Sequence, residues 1–156
     1  MIKLLKIYLI LLLVILITGC SYKPILSKQN HDFSIENVEL NGDKEVNYVI
    51  KERLINLKNQ NNKNKYYVQM ETSKVKNIIS NDSKGDPSKL EIIISSTFQI
   101  SNSEKLLINR KIKMKTAYNN ISDKFKLKEY ELFIIENLSQ KISDGIISTI
   151  TNINDN

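Results

Sequence analysis

KLEIIISSTFQISNSEKLLINRKIKMKTAY, residues 89–118, carries the pattern that decides the fold. Leu90, Ile92, Ile94, Phe98 and Ile100 fall on alternate positions, and a period of two puts them on one side of an extended strand. Asn102-Ser103-Glu104 then supplies a short hairpin connection. Beyond it, Ile108, Ile112, Met114 and Tyr118 alternate with Asn109, Lys111, Lys113 and Lys115. One face suits a core and the other suits water.

The same period extends upstream. Over 65–79, Tyr66, Val68, Met70 and Thr72 share a face, with Tyr67, Gln69, Glu71 and Ser73 opposite. Gly85-Asp86-Pro87, in the loop 80–88, is a turn signal. Further upstream the period changes. Asn41-Gly42-Asp43 turns the chain, Asp43 suits a helix N-cap, and Val46, Val49, Ile50, Arg53, Leu54 and Leu57 then share one helical face over 44–60. Before that turn, Phe33 and Ile35 followed by Val38 and Leu40 read as a short strand with one break in its alternation.

Downstream, residues 126–152 form a long amphipathic helix. Tyr130, Ile134, Leu138, Ile142, Ile146 and Ile150 recur at every fourth position, flanked by Leu127, Phe133, Ile135 and Ile153. Gly145 within it costs ~1 kcal/mol against Ala, and close packing on the sheet is the expected reason. The order β-α-β-β-β-α predicts an α+β two-layer sandwich: a mainly antiparallel four-stranded sheet with both helices on one face. The expected buried set includes Ile92, Ile94, Phe98, Ile112, Met114, Ile134, Leu138, Ile142 and Ile146.

The first nineteen residues contain fifteen apolar ones, and 7–17 is an unbroken apolar run behind Lys3 and Lys6. Eleven helical residues span only about 16 Å, short of a ~30 Å hydrocarbon core, so a secretory signal fits better than a membrane span. Ile17-Thr18-Gly19-Cys20 resembles the bacterial lipobox, and Cys20 is the only cysteine in the chain. The reading is a lipoprotein signal peptide over 1–19, acylation of Cys20, a polar tether over 20–32, and a single α+β domain over 33–156. Two or three acyl chains, at ~0.8 kcal/mol per buried CH2, anchor a protein stably. Ser21 follows the cysteine without an Asp, which in such signals implies the outer membrane.

Composition narrows the chemistry. One Cys and one His among 156 residues leave no metal constellation, and the four glycines lie far apart, so no phosphate-cradling loop is present. His31 reads as a solvated loop residue. The acid pairs Glu129/Glu131 and Asp82/Asp86 read as solvated surface carboxylates. No catalytic residue, cofactor or metal is expected, and the protein is not expected to be an enzyme. The formal charge of +6, or +4 once Lys3 and Lys6 are removed, comes from dispersed Lys. With secretion, that argues against nucleic acid as partner. Lys111, Lys113 and Lys115 still form a single-faced cationic row. They either keep a strand edge soluble or bind an anion such as a phosphorylated lipid, with Lys84 and Lys89 as weaker candidates.

Cys20-Ser21-Tyr22-Lys23-Pro24-Ile25-Leu26, followed by strand, helix, three strands and a long helix, resembles the LPS-assembly lipoprotein family LptE. Members commonly open Cys-Gly-aromatic-x-Pro-Leu-Tyr; Cys20, Tyr22 and Pro24 match, and Ser21 replaces Gly. The resemblance implies a periplasm-facing, lipid-anchored outer-membrane protein. Its role would be to assist assembly of the LptD barrel, plug it, and help lipopolysaccharide reach the outer leaflet. The alternative is a periplasm-facing lipoprotein that scaffolds or pilots another envelope complex without a lipid ligand.

Overall fold

The structure, a computed structural model, describes residues 32–58 and 62–155. The chain divides after Asn30, and the described residues all belong to the second unit. The signal segment, Cys20, the tether through His31 and residues 59–61 lie outside the described residues.

Six elements follow in the expected order: β1 (Phe33–Gly42), α1 (Lys44–Ile55), β2 (Asn64–Asn81), β3 (Pro87–Ser101), β4 (Leu106–Asn119) and α2 (Lys124–Asn154). The sheet order is β1-β2-β3-β4. Short turns join β2 to β3 and β3 to β4, so both pairs are antiparallel, whereas α1 carries the chain back and leaves β1 and β2 parallel. The result is a mixed sheet, antiparallel at two of its three pairings.

The break in the alternation of β1 is a β-bulge. Ile35 pairs with Tyr66 and Asn37 with Tyr67, so Glu36 is an extra residue that shifts the phase. Phe33 and Ile35 thus face the core before the bulge, and Val38 and Leu40 face it afterwards.

Asp43 caps α1, accepting from the N–H groups of Glu45 and Val46 at 3.1 Å each. Asp123 caps α2 in the same way, accepting from Phe125 and Lys126. That cap starts the helix two residues earlier than the apolar stripe suggests, and α1 stops at Ile55, short of the expected 60.

Both helices cover one sheet face, α1 over β1 and β2, α2 over β3 and β4. They run in the same direction: Tyr48 and Val49 lie by Leu132 and Ile135, and Arg53 pairs with Asp144 at 2.6 Å further along. The core joins Tyr66, Val68, Met70, Leu90, Ile92, Ile94, Phe98 and Ile100 from the sheet to Val46, Ile50, Leu54, Ile134, Leu138, Ile142, Ile146 and Ile150 from the helices.

Two expectations need correction. Ile112 and Met114 are half-buried, because β4 is an edge strand covered on one side only. Tyr130 and Phe133 are 43% and 60% exposed. Each four-residue step advances about 40° around a helix of 3.6 residues per turn. The buried stripe runs from Ile134 to Ile150 and is centred at Ile142, so Tyr130, three steps back, has rotated about 120° off the sheet.

Candidate functional site

The open face of the sheet is set by the alternation that builds the core. On β4, Lys111, Lys113 and Lys115 are exposed, and their partners across β3 are Thr97, Ser95 and Ile93. Residues two apart on a strand are about 6.8 Å apart, so the three ammonium groups form a row. Lys115 Nζ lies 3.3 Å from Glu91 Oε1; Lys111 and Lys113 make no ion pair among the described residues. Lys89 pairs with Asn119 and shares this face, beyond Glu91. Lys84 is not brought to the row. It sits in the turn between β2 and β3, where Asp82 accepts from the N–H groups of Lys84 (2.8 Å) and Asp86 (2.9 Å).

The opposite end of the same face has the other chemistry. Glu39, Gln69, Glu71, Thr97 and Gln99 help line a shallow depression of about 520 Å³. Gln69 Nε2 donates to Glu39 Oε2 at 2.9 Å. The face therefore runs from carboxylates and amides over β1 and β2 to ammonium groups on β4.

A second cluster went unseen in the sequence. Lys74 and Lys76 occupy core-side positions of β2, in line with Met70 and Thr72, in a hollow lined also by Glu45 of α1 and Lys128 and Glu131 of α2. Lys74 bonds Glu45 and lies 3.3 Å from Asp43 at the start of α1; Lys76 bonds Glu131 of α2. Burial alone would lower the Lys74 pKa, but its bonds and proximity to Glu45 and Asp43 outweigh that and raise it.

Glu131 is not the solvated acid expected from its sequence. Its side chain is 18% exposed, and it also accepts from the Tyr118 hydroxyl at 2.7 Å. Burial first, and then this carboxylate, push the Tyr118 pKa well above the usual phenol range. The signal available was two lysines continuing an inward-facing register, which demands acids on the covering helices. Every carboxylate here already has a cation, so the cluster fastens the sheet to both helices and presents no free nucleophile. Among the described residues, no three His, Cys, Asp or Glu side chains gather as a metal site.

No protein-family model matches the chain, and no curated protein matches at a significant level. Solved structures do. Rare lipoprotein B from Shewanella oneidensis superposes with a TM-score of 0.54 at 16% identity, over 76% of this chain and 98% of that one. The fold is the one these lipoproteins share. Lipoprotein B from Nitrosomonas europaea gives 0.58 at 10% identity, over 83% of this chain and 91% of that one. A minor lipoprotein from Acinetobacter baumannii gives 0.50 at 14%, over 72% and 91%. At these identities the likeness concerns the backbone, and the lysine row rests on this chain's own residues.

Proposed function

We propose that the protein is a non-enzymatic outer-membrane lipoprotein of the LptE kind, anchored through Cys20 and facing the periplasm. It assists assembly of an LptD-like β-barrel, plugs it, and helps lipopolysaccharide pass to the outer leaflet. One observation carries the reading: the domain that follows the lipobox-like Ile17-Thr18-Gly19-Cys20 in sequence has the fold of solved lipoproteins over nearly their whole length. The lysine row adds to it. Three like charges on one strand repel one another, and phosphate groups relieve that repulsion while adding attraction. Lysine serves there as a point charge, with Lys111, Lys113 and Lys115 as principal contacts and Lys89 and Lys84 as outlying ones.

Affinity isolation of the native lipoprotein from its own envelope tests the reading. The expected result is a stable complex with a large β-barrel and a mature N-terminus at acylated Cys20. Recovery with other envelope proteins and no barrel replaces it with the scaffold or pilot reading. An unmodified Cys20 removes both.

A further inference from the structure

Among the described residues, the last strand of the sheet has a partner on one side only. β4 ends the order β1-β2-β3-β4 and offers fourteen residues of edge backbone. Both borders of this edge are shaped. On the core side Ile108, Ile112 and Met114 are half-buried. Beyond them, at the Tyr118 end of the strand, the Tyr130 ring meets Tyr118 edge-on at 6.0 Å, and Phe133 stacks on Tyr130 at 6.5 Å, with both outer rings exposed. On the open side stand Lys111, Lys113 and Lys115.

We propose that this edge takes a fifth strand, contributed by an extended segment of a protein partner in which acidic and apolar residues alternate. Side chains of an added strand alternate between faces. Those on the core side cover Ile112, Met114 and Tyr130, while those on the open side stand beside the lysines at the ~5 Å separation of cross-strand neighbours. Charge complementarity selects the occupant. A second copy of β4 sets lysine row against lysine row and is disfavoured. Lipid phosphates satisfy the lysines but leave the edge N–H and C=O groups and the aromatic pair uncovered. β1, the other edge, is bulged at Glu36 and carries Glu36 and Glu39, which makes it a poor template for the same segment. The inference does not depend on the barrel reading; it competes only with the lipid contact at the lysine row, and the test separates the two.

The test uses the full chain in a non-ionic detergent and two end-blocked peptides of about ten residues, alternating valine with glutamate or valine with lysine. The glutamate peptide is expected to bind and to slow hydrogen exchange at roughly half the amides of 106–119, the half facing away from β3. The combined Lys111→Glu, Lys113→Glu and Lys115→Glu variant is expected to lose roughly tenfold or more in affinity and to accept the lysine peptide instead. Tyr130→Ser weakens binding several-fold while the preference for glutamate stays. Binding that leaves exchange over 106–119 unchanged overturns the proposal, as does equal affinity of the charge-reversed variant. Lipopolysaccharide micelles form the third arm: if they bind through the lysines and the glutamate peptide does not bind, the edge is a lipid contact and the proposal fails. Neither outcome bears on whether a barrel co-purifies.

Discussion

Thr72 fixes the entry to α1 at the level of single atoms. Its carbonyl accepts from Asp43 N–H at 3.3 Å, and its hydroxyl donates to Asn47 Oδ1 at 2.6 Å. Gly42 makes this approach possible: at φ +100°, a Cβ there would lie 1.9 Å from the Thr72 carbonyl oxygen. Gly85 also has positive φ, at +89°, but an added Cβ meets nothing. Gly85→Ala should cost about 1–2 kcal/mol from backbone conformation alone, and Gly42→Ala clearly more; equal losses in denaturant melts would contradict the contact. Ser96 lies on the core face of β3, fully buried, with no hydrogen-bond partner for its Oγ among the described residues. Ser96→Ala should therefore stabilise by about 1 kcal/mol, read as a higher Tm. Tyr118 adds a pH dependence. Its raised pKa favours the folded state fully below the unfolded value of ~10, and that contribution is lost as pH climbs toward the folded value. Tyr118→Phe should lose about 1 kcal/mol at neutral pH with its hydrogen bond to Glu131, yet decline less steeply than the parent above pH ~10. Parallel alkaline limbs would show that the phenol does not drive the loss.

At the scale of elements, α2 is held to the sheet by residues of two sizes. Ile142, Ile146 and Ile150 fill the core, while Gly145 lets the helix approach so closely that a Cβ there would lie 2.9 Å from Ile112 Cδ1. That is the close packing its sequence position suggested. Ile142→Asp buries an unpaired charge and should cost several kcal/mol; an unchanged melting temperature would misplace the helix face. The faces of β2, β3 and β4 were legible because a period of two admits only two assignments. The bulge in β1 was legible as a phase break, and the α1 cap as an Asp after a turn. Depth was not legible. Alternation says which side Ile112 and Met114 take but not that their strand lies at an edge. Nor does it reveal the direction of β1 against β2, which the crossing of α1 decides. Among the candidate residues, the row 111, 113, 115 followed from alternation, whereas Lys74, Lys76 and Glu131 meet only through pairing between distant segments.

For the molecule as a whole, the four strands differ in how far the chain must travel to pair them. β2, β3 and β4 form a meander closed by turns of a few residues, whereas Phe33 of β1 waits for Asn64 across the whole of α1. Loop closure and non-local pairing slow assembly. Pulse-labelled hydrogen exchange during refolding should therefore find 33–42 protected later than 106–119, although both are edges; the reverse order would mean that β1 belongs to the folding nucleus. The parallel pairing also has a consequence in time. Chains are made from the N-terminus, so β1 is synthesised first and yet has no neighbour until about thirty more residues have followed. Its Phe33 and Ile35 must stay uncommitted throughout that interval, and β2 keeps a bare flank until they arrive. The oldest strand of this sheet must wait for its partner to be made, and the interval before it docks is when a wrong partner has its best chance.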